Sequence, residues 1–173
     1  VPSGRVHEAI NLSVLGLATA AYWVYRQDLE VPQPVAVAFM GSYLLGTFLI
    51  TPDLDLAEQQ VRAKGRWGWM GWLWVPYGWM FTHRGLSHTW VVGPLTRILY
   101  LGAMGVLVYW FFTALSSYLG LNIHLQPHFK APPQEVIWAL VLGYYASQWL
   151  HLIADGIWPD SGRIFASRRR RQR

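Results

Sequence analysis

The chain has 173 residues, of which 53% are hydrophobic and only 13% charged, against about 25% charged for a soluble domain, so an ordinary water-soluble globule is excluded and one membrane domain is expected. Eleven Trp and nine Tyr suit a large interfacial surface, and the absence of Cys removes both a disulfide framework and a thiolate metal site. The formal net charge of +5 is dominated by Arg168 to Arg171 and Arg173, which read as topology and attraction to anionic lipid headgroups rather than to nucleic acid.

Charge-free intervals bounded by breakers predict membrane helices near 9–26, 34–51, 91–115 and 135–154. The first lacks a clear small-x-small cleavage site and a candidate ligand precedes it, so no cleavable leader is expected. It is entered through His7 and Asn11, four residues apart; His7 is a candidate ligand and Asn11 a ligand or a positioning partner. Glu8 falls elsewhere on the helical wheel and is expected to be an exposed anion at the helix start. The second span follows Pro32 and Pro34 and stops at Pro52. There TPDLD places Asp53 and Asp55 at a helix C-terminus, where the helix dipole disfavours carboxylates. A pair in that position suits the bridging of metal ions. WGWMGWLWVPYGWMF at 67–81 is apolar but short, and Gly68, Gly71, Pro76 and Gly78 break it. Its Trp content predicts an interfacial or re-entrant segment rather than a crossing.

HRGLSH sets His83 and His88 around Gly85, where two imidazoles can converge. Arg84 between them could hold a phosphate oxygen, and Ser87 and Thr89 could cap the next helix. Arg97, just inside the third span, is expected to snorkel to the near surface. His124 and His128 of HLQPH fall on the opposite face and read as loop. Pro132 and Pro133 introduce the last span, which ends in HLIAD. His151 and Asp155, one turn apart on one face, make a two-donor metal platform, and Gln148 one turn earlier could orient His151. Asp160 is a weaker candidate near the same end.

Four spans put both termini and the 52–90 loop on one face. His7, Asp53, Asp55, His83, His88, His151 and Asp155 then gather on it, as do all basic residues except Arg26 and Lys130 and the snorkelling Arg97. The positive-inside rule makes that face cytoplasmic. The expectation is an all-α integral membrane four-helix bundle of the bacterial inner membrane, with a basic tail at 163–173. Homo-oligomers are open to it through small residues such as Gly41 and Gly46 or Gly102 and Gly105.

The order PSGRVHEAIN, PDLD, HRGLSH and HLIAD resembles the bacterial membrane-bound metal-binding proteins, and is similar to the inner-membrane metal-dependent hydrolases. A fainter similarity is to zinc-dependent phospholipase C, whose extra His-x-x-x-Glu ligands this chain lacks. The resemblance implies metal ligation by His7, Asp53, Asp55, His83, His88, His151 and Asp155. The expected activity is hydrolysis of an amphipathic lipid phosphoester with one or two divalent ions, zinc first and manganese or iron as alternatives. Asp53 or Asp155 would take the proton and Arg84 would neutralise a phosphoryl oxygen. The alternatives are a non-catalytic metal-binding or metal-transport protein, a purely structural metal site and, ranked low, a di-iron oxidase. A His-Glu-x-x-His metalloprotease motif is absent.

Overall fold

Prolines and left-handed residues cut the chain where its helices stop. The computed structural model describes residues 3–56, 62–81, 85–121 and 130–159, and no strand occurs among them. Helix α1 (Gly4–Leu29) ends at Glu30, whose φ of 48° turns the chain out of the helix. Helix α2 (Gln33–Phe48) starts behind Pro32 and is followed by a 3-10 turn at Pro52–Asp55. Two short helices, α3 (Arg62–Arg66) and α4 (Val75–Met80), flank a 3-10 stretch at Gly68–Trp74. A 3-10 turn at Leu86–His88 leads into α5 (Val92–Tyr118), and α6 (Gln134–Ala154) starts behind Pro133. Gly156, at φ 71°, closes α6, with the Ile157 N–H returning to Leu152 O at 2.8 Å.

The four long helices cover the four intervals expected to span. Two of them, α5 and α6, are long and apolar enough to cross a bilayer, with mean hydropathy of 1.9 and 1.3. Helix α2 has 16 residues, cut short between its prolines, which is under the span length of about 17–25. Helix α1 has 26 residues, but polar positions such as Asn11, Ser13 and Thr19 interrupt its apolar run. The all-helical fold is therefore established, with two candidate spans in place of the four expected.

Helices α2 and α6 form the closest pair. Gly46 and Gly143 allow this, since a Cβ on Gly143 would lie 2.2 Å from Phe39 O and one on Gly46 2.1 Å from Ser147 Oγ. Gly41, Gly102 and Gly105 make no such close approach. Side-chain bonds tie the other helices to this pair. Asn11 Nδ2 donates to Thr47 Oγ1 (3.1 Å) and Ser147 O (3.2 Å), and Tyr144 Oη donates to Pro94 O (3.2 Å).

The hydrophobic core lies beside this pair rather than within a four-helix bundle. Leu54, Ala63, Trp74, Tyr77 and Tyr100 pack together, joining the turn after α2 to the aromatic segment and to α5. The 67–81 stretch is thus half core. Trp74 and Tyr77 are fully buried, while Trp69, Trp72 and Trp79 face outward. Beyond its first turns α5 is exposed, with Val106, Leu107, Trp110, Phe111 and Phe112 uncovered.

Candidate metal centre

Helix polarity builds the site. Helices α1 and α5 begin, and α2 and α6 finish, at the same end of the molecule. His7 and Asn11 lie on the buried stripe of α1 with Leu15, and His151 on the buried stripe of α6. Asp155 caps α6, its own N–H bonded to His151 O at 3.0 Å. The His7 and His151 rings stack, with centroids 3.9 Å apart and planes 9° from parallel.

Carboxylates face both rings. His7 Nε2 is 3.3 Å from Asp155 Oδ1, and His151 Nε2 is 3.4 Å from Asp155 Oδ2 and 3.6 Å from Asp53 Oδ1. One donor atom from each of His7, His151 and Asp155 falls within 4.8 Å of the others. Ligands about 2.0–2.1 Å from a tetrahedral ion stand roughly 3.4 Å from one another, so the spacing fits a single cation. His151 Nε2 and Asp155 Oδ1 are buried and make no hydrogen bond of proper geometry. Buried polar atoms left in that state call for a further partner, and two imidazoles with a carboxylate suit a divalent ion. Stacked rings present their lone pairs in parallel planes, so sharing one ion would tilt them apart.

Burial pushes the Asp53 carboxyl up, but the facing His151 imidazole, helped by His88 and His7, holds it below the usual carboxylate range. The same balance of burial against His151 and His7 holds Asp155 down. Both are therefore in the ionised form that ligation needs.

Asp55 and His88 form a neighbouring pair, with His88 Nδ1 3.1 Å from Asp55 Oδ2. The Ser87 hydroxyl donates to that same Asp55 oxygen, and the Arg97 guanidinium donates to Ser87 O. Arg97 also donates to Gln148 Oε1 at 2.8 Å, and Gln148 Nε2 donates to Gly46 O at 3.1 Å. Gln148 thus braces α2, α5 and α6, where it was expected to orient His151. Arg97, expected to snorkel, is 1% exposed. Its two terminal nitrogens are hydrogen-bonded inside, where a free guanidinium would be costly, while Nε has no partner among the described residues. Val91 is the N-cap of α5, and Thr89 Oγ1, from outside the helix, accepts the Gly93 N–H of its first turn at 2.9 Å.

A cleft of about 340 Å³ opens onto the two rings, lined also by Asn11, Asp53 and Thr51. Glu8 stands at it too, with Arg62 at 3.0 Å and Arg66 at 2.7 Å, rather than alone in solvent as the helical wheel implied. His83, Arg84, His124, His128, Asp160 and the basic tail lie outside the described residues. The structure thus brings His7, His151, Asp155 and Asp53 together and sets Asp55 with His88 beside them. Glu8, Ser87 and Arg97 are the residues that sequence reasoning undervalued. Only Arg97 carried a usable sign, a lone charge within an apolar run.

A family model described as "Uncharacterized metal-binding protein (DUF2227)" matches residues 2–165. An uncharacterized protein of Aquifex aeolicus (strain VF5) is 42% identical over 72 residues, 41% of this chain and 49% of that protein, so the match spans about half of the relative's length. No solved structure matches. These findings support the metal-binding part of the resemblance and lend nothing to the hydrolase or phospholipase C likeness.

Proposed function

Because the chain belongs to this metal-binding family, we propose that it holds one divalent cation between His7, His151 and Asp155 at a membrane surface, with Asp53 as a further donor. The observation that carries the reading is the donor cluster, of which His7 and His151 line a cleft together with Asp53. That cleft gives a small ligand a route toward the ion that a fully enclosed structural site would not give. Two imidazoles with carboxylates suit zinc first, and manganese or iron next. Membrane residence is supported by α5, whose most apolar window is only 6% buried, a surface that water would not tolerate uncovered. A transport role fits less well, since the donors sit at helix ends rather than at mid-helix.

Catalysis is a second reading, favoured by the cleft and by Asp53. A bound divalent ion would acidify water and polarise a phosphoryl or carbonyl oxygen. Asp53 lines the cleft in its ionised form and can take a proton from water held there, while Asp155 holds His7 and His151 in register. The exposed Trp69, Trp72 and Trp79 suit an amphipathic substrate, a lipid phosphoester above all. The test is metal content and phosphatidate turnover of the purified protein with and without chelator. One equivalent of metal with chelator-sensitive turnover supports both readings. Metal without turnover leaves the binding role alone, and absence of metal removes both.

A further inference from the structure

Both acids that line the cleft are already engaged, Asp53 with His151 and Glu8 with arginines. Arg5 and Arg62 line the cleft as well. Glu8 is shared by Arg62 and Arg66, and Arg5 has no ion pair among the described residues. Helix α1 starts at the same place. The Val6 and His7 N–H groups return to Ser3 O, which leaves those of Gly4 and Arg5 without a helical acceptor. Ser3 makes no side-chain cap and the first turn holds no acid, so the positive end of the helix dipole is uncompensated.

The inner wall adds an independent observation. Thr51 and Asn11 line the cleft at 7% and 3% exposure, and Thr51 Oγ1 and Asn11 Oδ1 have no hydrogen-bond partner. A hydroxyl there can donate to an anion's oxygen, and the amide oxygen can accept from a protonated one. Two guanidiniums, a free helix N-terminus and a hydroxyl match a compact anion with several oxygens better than a single carboxylate.

We propose that this cleft is a phosphate-binding subsite, in which Arg5, Arg62 and the start of α1 grip a phosphate group and Thr51 completes its hydrogen bonding. The subsite deepens the metal-site reading by naming its ligand class, and rests on that reading only for what happens at the His7 and His151 end. The phosphate belongs either to a soluble compound or to a lipid headgroup.

The test is calorimetric titration of inorganic phosphate into metal-stripped full-length protein in detergent. Wild-type binding should weaken by at least about tenfold in Arg5→Gln/Arg62→Gln. Thr51→Val, which keeps every charge, should weaken it several-fold, and Arg5→Lys/Arg62→Lys should restore part of the loss. Phosphatidic acid in mixed micelles, with phosphatidylcholine as control, is then added as competitor. Displacement of phosphate supports the subsite with a lipid source, and phosphate binding that phosphatidic acid leaves intact supports it with a soluble one. Wild-type protein that binds phosphate no better than the Gln variant overturns the proposal. Zinc uptake on the same samples separates the two readings. Phosphate binding in protein that takes up no zinc removes the metal reading alone, and zinc uptake without phosphate binding removes the subsite alone.

Discussion

Gly143→Ala tests how helix packing sets the metal centre. The added Cβ would meet Phe39 O at 2.2 Å and Ser42 Oγ at 2.4 Å. The serine hydroxyl can rotate, but the carbonyl belongs to the α2 backbone, so restoring ordinary contact makes α2 withdraw by roughly 1 Å. Overpacking of this kind costs about 1–3 kcal/mol. It is offset by up to about 1 kcal/mol from replacing a helical Gly with Ala. Gly102→Ala isolates that gain, since a Cβ there meets nothing within 4 Å. For a chain of this size the melting temperature should fall by about 3–10 °C relative to Gly102→Ala. The same movement draws Asp53, at the end of α2, away from His151, now 3.6 Å away, while His7, His151 and Asp155 stay together on α1 and α6. Gly143→Ala should thus bind one zinc with affinity reduced about tenfold, as expected for a weakened supporting donor. The assays are Trp-fluorescence melting in detergent and zinc titration against a competing chelator. Equal melting and equal affinity in the two Ala variants would refute the packing argument.

Saturating zinc at about a thousandfold excess over Kd should stabilise wild type by about 4 kcal/mol, a rise on the order of 10 °C, and His151→Ala should show no such rise. Arg97→Met should destabilise by about 2–5 kcal/mol, because it leaves two buried neutral acceptors, Gln148 Oε1 and Ser87 O, without their donor, and chemical denaturation would measure it. The Asp53 and Asp155 carboxyls titrate below their unfolded values, so the unfolded chain takes up those protons first as pH falls. Their contribution should be complete above about pH 5 and lost as pH drops below about 4, through the lowered folded values. Melting of metal-free protein across that window should show the loss, and Asp155→Asn should flatten it.

Much of this was legible because breakers and charges are local. Pro32, Pro52 and Pro133 mark the helix boundaries in the sequence itself. The i to i+4 spacings of His7 with Asn11 and of His151 with Asp155 fix which faces carry the polar groups. Alternating helix direction then brings these ends together. What stayed hidden depends on long-range contact. Nothing local says that Trp74 and Tyr77 are core while Trp69 and Trp79 face outward, because all lie in the same Trp-rich segment at 67–81. Gln148 lies on the correct face for His151, yet bonds to Arg97 and Gly46 O, because α5 brings a buried guanidinium against it. Glu8 gained its role from Arg62 and Arg66, more than fifty residues away in the chain.

The central claim is that His7, His151 and Asp155 share one cation. It is tested most directly by elemental analysis of full-length protein purified in detergent beside His7→Ala, His151→Ala and Asp155→Asn, each checked for folding by helical circular dichroism. The expected result is about one equivalent of a divalent metal in wild type, well below that in each folded variant. Wild-type protein that takes up no metal even when supplied with zinc, or folded variants that retain the full equivalent, would contradict it.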